Sequence, residues 1–324
     1  MRPRTTRLVA GAAAAALAAV ALTGCAPRGS IDGCVPSATS GSASDAVTAT
    51  GRFGVAPTVR FSAPLHSTAT QVTSTIAGRG APIGSAQQVV ADLTLLNGTT
   101  GKVVTRSDYA GLTSAATFVV GKVGIPGLTK ALVCSRVGER LAAVIPPSQS
   151  IPAANRPQGL GAADSLVAVI DVRRAYLARA DGADQVMGSG LPAVVLGSDG
   201  RPGITLPEGA PPKTLRVANL KKGSGPVVKR GANAIVQYTG VLWNPGDAGT
   251  GTVFDSSWRN GAPVVLPVKN GQIVKGLVTA LAGQRVGSQV LAVLPPSQAY
   301  GSQSSSSVPA NSTLVFVVDV LGTS

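Results

Sequence analysis

The chain has 324 residues, room for two domains of ordinary size, and 44% of them are apolar, which excludes wholesale disorder. Aromatics make up only 3% while Gly (40) and Pro (23) are plentiful, so the composition reads as β-rich with many turns. The formal charge of +14 is spread along the chain with no stripe of Arg or Lys interleaved with aromatics, which argues against a nucleic-acid partner.

Taken in order, the chain opens on a positive stretch (Arg2, Arg4, Arg7) and an Ala-rich apolar run from Leu8 to Leu22. Leu22-Thr23-Gly24-Cys25 follows at once. A run this short, ending in small residues, reads as a signal peptide over residues 1–25 and not as a spanning helix. Cys25 after Leu-x-Gly resembles a bacterial lipobox, which implies lipidation of Cys25. The expected location is then the outer face of the bacterial cytoplasmic membrane, with the lipid as anchor. The alternative is an ordinary signal peptide with an incidental Cys. Without residues 1–25 there remain 25 basic and 14 acidic side chains, a formal +11, read as a solvated surface that can lie against anionic lipid head groups.

Residues 26–45 are rich in Gly, Ser, Ala, Thr and Pro and read as a flexible tether. With no CxxC and His66 as the sole histidine, a zinc site is not expected, and no cofactor is. Outside the cytoplasm the remaining Cys34 and Cys134 favour a disulfide over two reactive thiols, although pairing needs geometry that spacing cannot supply.

From residue 46 to about 180 the chain echoes its own C-terminal part. Val103–Gly111 echoes Val253–Gly261, and Ile125–Leu132 echoes Val274–Leu281. Ala142-Ala-Val-Ile-Pro-Pro-Ser-Gln149 echoes Leu291-Ala-Val-Leu-Pro-Pro-Ser-Gln298, and Ser165–Val172 echoes Thr313–Val320. The offset stays near 149 throughout, a regularity that chance explains poorly. Residues 181–196 read as the linker, and residues 197–324 as the second unit. In that unit Leu277, Ala280 and Leu281 recur at helical spacing over Lys275–Ala282, with Gly283 as the stop. The remaining apolar runs read as strands, giving an α+β unit.

The second unit has no His, no Cys, no Gly-x-Ser-x-Gly elbow and no phosphate-binding loop, so any chemistry there proceeds without a nucleophile or metal. Its run of pieces, Ala234–Gly240, Val253-Phe254-Asp255-Ser256-Ser257, Gln272–Leu281, Leu291–Gly301 and Val308–Val320, resembles the FKBP-type peptidyl-prolyl cis-trans isomerases over nearly the whole C-terminal third.

The resemblance implies two FKBP-like domains, each a curved antiparallel sheet wrapped on one short helix, with a proline slot in the second. Tyr238, Phe254 and Phe316 would wall it, and Leu277 would floor it. The Val274 N–H and the Tyr300 hydroxyl would bind carbonyls, Asp255 would sit at the rim, and Ile273 and Val308 would complete the lining. Taken alone, Phe316 and Leu277 read as core, Tyr238 as a core Tyr, Asp255 as a turn former and Tyr300 as a loop anchor. The implied partners are proline-containing exported polypeptides, and macrolide inhibitors of the FK506 class. The alternative is a non-catalytic, chaperone-like peptide binder using the same groove. Three positions depart from the family: Leu277 stands for its usual Trp, Val264 for a Phe and Asn260 for a basic residue, leaving a less aromatic pocket. In the first repeat Tyr238, Phe254, Asp255, Tyr300 and Phe316 align with Ala91, Val104, Thr105, Ile151 and Ala168. Only Leu128 keeps its counterpart, Leu277, as in a non-catalytic unit.

Overall fold

The computed structural model describes residues 33–243 and 249–324. The signal-peptide run, Cys25 and the start of the tether lie outside the described residues.

The first unit contains α1 (Ser42–Asp45), β1 (Thr48–Thr50), β2 (Thr58–Arg60), β3 (Gln71–Ile76), β4 (Gln88–Asn97), β5 (Val103–Arg106), β6 (Ala116–Val119), α2 (Pro126–Leu132), β7 (Arg140–Ile145) and β8 (Leu166–Ala175). Its antiparallel sheet runs β3-β7-β8-β4-β5, with β6 beside β4. The second unit contains β9 (Ala183–Asp184), β10 (Ala193–Leu196), β11 (Pro202–Leu206), β12 (Arg216–Lys222), β13 (Asn233–Trp243), β14 (Gly249–Thr250), β15 (Thr252–Ser256), α3 (Ser257–Asn260), β16 (Val264–Pro267), α4 (Lys275–Leu281), β17 (Gln289–Leu294) and β18 (Thr313–Thr323). Its main sheet runs β15-β13-β18-β17-β12-β9, with β16 beside β13. Position for position, β12, β17, β18, β13 and β15 repeat β3, β7, β8, β4 and β5. The fold is α+β, as the periodicity predicts.

A seven-residue helix is marginal by itself and depends on what it packs against. Helix α4 buries Leu277, Val278, Ala280 and Leu281, and the chain leaves it through Gly283 at φ +87°. It lies close on β17 because Gly276 has no side chain. A Cβ there would stand 2.4 Å from Leu294 Cγ. Gly127 of α2 is placed alike, 2.3 Å from Ile145 Cγ2. The echoed Gly-Leu pairs thus mark one packing contact made twice.

Both faces of each sheet are buried. Along β17 and β18, Val290, Ala292, Leu294, Leu314, Phe316 and Val318 face the helix, while Leu291, Val293, Val315 and Val317 face away. Two-sided burial explains why these strands read as unbroken apolar runs. What covers the outer faces corrects the expected linkers. Residues 181–196 are not a free connection: β9 pairs with β12, and β10 forms a hairpin with β11. Met187, Leu191, Val194, Ile204 and Leu206 close the outer face. The described end of the tether is likewise packed. Ala43 and Val47, with Val59, Phe61 and Leu65 from the β1–β2 region, cover Ala142, Val144 and Val167. Gln71 Oε1 accepts the Ala43 and Ser44 N–H groups and fastens α1 to β3. Cys34 and Cys134 are joined by a disulfide that closes 100 residues, with Cα atoms 5.7 Å apart.

Ladder register also corrects one alignment. Tyr238 pairs with Val318, and Leu93, not Ala91, pairs with the equivalent Ile170. The Leu93 N–H donates to Ser107 Oγ at 3.0 Å as the Tyr238 N–H donates to Ser257 Oγ at 2.8 Å. One serine of the Asp-Ser-Ser run is therefore a main-chain clasp.

The same register places Arg140 and Asp171 in the first unit where Gln289 and Asp319 stand in the second. Arg140 and Asp171 are fully buried and joined at 2.6 and 2.7 Å, with further Arg140 donors on the Gly51, Arg52 and Val55 carbonyls. Asp319 accepts Gln289 Nε2 at 2.7 Å and the Ala180 N–H at 2.8 Å, with no ion pair to a cation among the described residues. Burial pushes Asp319 up to about 6 despite these donors. The folded state therefore holds this proton more tightly than the unfolded chain. Its stabilising contribution is complete below about pH 4 and is lost as pH rises through about 6, on the order of 3 kcal/mol. Relative to an Asp319→Asn variant, the protein is expected to lose about that much unfolding free energy between pH 4 and pH 7. Urea titrations of both proteins giving parallel pH profiles would contradict the assignment.

Candidate functional site

A cavity of about 180 Å³ opens on the helix side of the second sheet. It is below the roughly 300–1,000 Å³ of a drug-sized site, and is on the scale of one side chain with part of its backbone.

Strand β13 supplies Tyr238, β15 supplies Phe254 and Asp255, β18 supplies Phe316, and α4 with the turn before it supplies Ile273, Val274 and Leu277. Tyr300 reaches in from the loop after β17 and is 45% exposed. Eight of the nine residues expected from the sequence thus line one cavity. Val308 does not: it is buried in the core, its N–H held by Ser305 Oγ at 3.2 Å. Leu266, Gln272 and Val318 line the cavity as well. Val318 follows Phe316 at strand period, and Leu266 follows Val264, so the alternation that turns one residue inward turns the other. Gln272 lies in an exposed loop and carried no such signal.

The aromatic wall has a defined geometry. Phe254 stands edge-on to Phe316, with centroids 5.5 Å apart and planes at 90°. Tyr238 is tilted against Phe316 at 6.1 Å. Such edge and tilted contacts suit the ring quadrupoles. The Tyr238 hydroxyl donates to the Asp255 carboxylate. Burial, chiefly, with the Asp255 acceptor and its charge, pushes the Tyr238 phenol well above the usual tyrosine range. Tyr238 is therefore a neutral donor already committed to Asp255, and it locks both side chains at the rim.

Leu277 is buried at the floor, and Val274 caps α4, so its N–H has no partner inside the helix. Val264 is half-buried against the core, Asn260 is exposed at the end of α3, and the adjacent Arg259 donates to the Val253 carbonyl at 3.1 Å. The site is a small, largely apolar slot that also carries Asp255, Gln272 and the Tyr300 hydroxyl. It can hold a compact ring and restrain the peptide bond beside it.

The corresponding positions of the first unit carry aliphatic side chains. Leu95, Ile151, Ala168 and Leu128 belong to its core cluster, with Leu93 and Val104 packed against it. Bulk that the second unit carries as rings around a slot is here carried as aliphatic core.

Residues 225–321 match the family model described as "FKBP-type peptidyl-prolyl cis-trans isomerase". The chain is similar to the FK506-binding protein of Streptomyces anulatus, with 31% identity over 123 residues, 37% of this chain and 95% of that protein. It is also similar to a Corynebacterium glutamicum protein named "Probable FK506-binding protein", at 34% over 121 residues, 37% of this chain and 97% of the other. Among solved structures, the three FKBP domains of wheat FKBP73 align with 79% of this chain and 94% of theirs, at 21% identity and a TM-score of 0.36.

Proposed function

Because the chain belongs to the family of FKBP-type peptidyl-prolyl cis-trans isomerases, we propose that its second unit catalyses X-Pro isomerisation in the slot walled by Tyr238, Phe254 and Phe316. The observation that carries this reading is the slot itself, lined by rings in fixed mutual geometry over an apolar floor.

The X-Pro bond turns through a barrier of roughly 18–20 kcal/mol, and unaided exchange takes tens to hundreds of seconds. A twisted amide has lost its resonance, so its carbonyl carries less charge than the planar form. An apolar enclosure withholds hydration that the planar amide needs more, and so favours the twisted state. Phe254, Phe316 and Leu277 exclude water from the ring. The Val274 N–H and the Tyr300 hydroxyl hold flanking carbonyls. Asp255, fastened by Tyr238, keeps the rim in place. Macrolide ligands of the FK506 class would use the same slot.

Substrates on this reading are proline-containing segments of exported proteins. Leu22-Thr23-Gly24-Cys25 supports a lipid anchor at Cys25. A Cys25→Ser variant is expected to leave the membrane fraction, and its retention there would argue against the anchor. The second reading, a peptide holder without turnover, is favoured by the aliphatic Leu277 and Val264 in place of aromatic groups. NMR exchange spectroscopy on a proline peptide with the chain from residue 26 separates the two. Accelerated cis-trans exchange supports the isomerase, and binding without acceleration supports the holder.

A further inference from the structure

We propose that Gly240 is a positioning residue of the slot, its absent side chain being the seat on which the Phe254 ring rests against Phe316. The activity arm of the test rests on the isomerase reading; the geometric arm does not.

Gly240 lies within β13, outside the positive-φ positions, opposite Phe316 on β18 and Asp255 on β15. The β13–β15 pairing shifts register just after it. In the first unit the pairing of β4 with β5 shifts at the same place, and Leu95 stands there. That backbone therefore accepts a side chain, and Gly240 is not needed for its dihedral freedom. What is missing is room. A Cβ on Gly240 would lie 2.6 Å from Phe254 Cζ, 2.9 Å from Phe254 Cε1 and 3.0 Å from Phe316 Cε1. Ordinary contact begins at 3.4 Å, so the Phe254 ring would have to move by about 0.8 Å. Phe254 lines the slot, so a displaced ring reshapes a cavity of only about 180 Å³.

The first unit shows the opposite assignment of the same volume. Leu95 is 4% exposed in the core, and Val104 and Ala168 replace the two rings. A side chain on the strand leaves no place for the ring, and a ring requires a bare strand. The pair at 240 and 254 therefore sets whether a ring or a strand side chain takes that place.

The test is a double-variant cycle in the full chain: Gly240→Ala, Phe254→Leu and both together. Readouts are kcat/KM for X-Pro exchange, affinity for the same peptide, and aromatic NMR shifts of Phe316 with its contacts to residue 254. Gly240→Ala is expected to lower kcat/KM by about 10- to 100-fold, the scale of a misplacement near 1 Å. It is also expected to shift the Phe316 ring resonances. In the Phe254→Leu background, adding Gly240→Ala is expected to change kcat/KM by less than about twofold, because the smaller side chain leaves the seat free. Wild-type shifts and rates in Gly240→Ala would overturn the proposal, as would an equal loss in both backgrounds. If wild type does not accelerate exchange, the isomerase reading falls, and the seat is judged on ring shifts and affinity alone. If Gly240→Ala fails to fold, the double variant must fold, and its failure would also overturn the proposal.

Discussion

Phe254→Ala is expected to lower kcat/KM for X-Pro exchange by about 100-fold, which corresponds to roughly 2.7 kcal/mol of transition-state preference. The ring is half of the edge-to-face pair with Phe316, and it closes the slot on the side of β15. Removing it does not merely widen the cavity. Gly240 beneath offers no side chain to fill the space, so water gains a path from the rim to the bound ring. Water solvates the planar amide better than the twisted one, and the advantage of the enclosure is lost. Folding should survive, because Phe254 is only partly buried and the sheet beneath it is closed by Leu242, Leu314 and Phe316. The check is exchange spectroscopy beside a urea titration of the same variant. Val104→Ala, at the equivalent place in the first unit, should leave kcat/KM unchanged. Activity of Phe254→Ala within about threefold of wild type would remove Phe254 from the site.

Arg140→Leu is expected to destabilise the first unit by about 3–5 kcal/mol, through the charge it abandons. Asp171 is fully buried, and its carboxylate accepts both Arg140 and the Gly54 N–H at 2.7 Å. The guanidinium also gathers the carbonyls of Gly51, Arg52 and Val55 and so fastens the loop between β1 and β2. The variant would leave Asp171 buried without its cation and take one donor from each of three carbonyls, of which Arg52 keeps the Val55 N–H. Replacing both partners, as Arg140→Met with Asp171→Leu, should recover much of the loss, because no buried charge is then left unpaired. Chemical unfolding measures both. A single-variant loss below about 1 kcal/mol would show that the ion pair stabilises little, or that water reaches Asp171 when Arg140 is gone.

Much of the site was legible through the resemblance to a known family, because singly its residues read as core or turn. Phe254 and Asp255 sit in a short motif, Phe316 lies on a long apolar strand and Leu277 on a helical face. Val308 shows the limit. The resemblance implied that it completes the lining, but Val308 is buried in the core, its N–H held by Ser305. The Tyr238 counterpart was set two residues off because β4 and β13 are flat apolar runs, and sliding such a run by two keeps the same face inward. Only hydrogen bonds such as that from the Leu93 N–H to Ser107 resolve the register.

The polar, Gly-rich composition of residues 26–45 and 181–196 suggested loose connections. Composition reports what a segment can do in water, not what lies beside it. Two sheets with apolar outer faces needed cover, and these segments supply part of it through few but well-placed residues such as Ala43, Leu191 and Val194. A second unit cut at residue 197 would lose β9 and β10 and expose part of that face.

By itself the sequence determined the α+β class and the internal repeat near 149 residues, since apolar period and motif order are local properties, while the slot in the second unit came from the resemblance to a known family. Tertiary structure alone decided which segments cover the sheets, which register joins the strands, and that a bare strand at Gly240 holds the Phe254 ring. Each of these depends on contacts between residues far apart in the chain, where the identity of one position is set by the volume another leaves free.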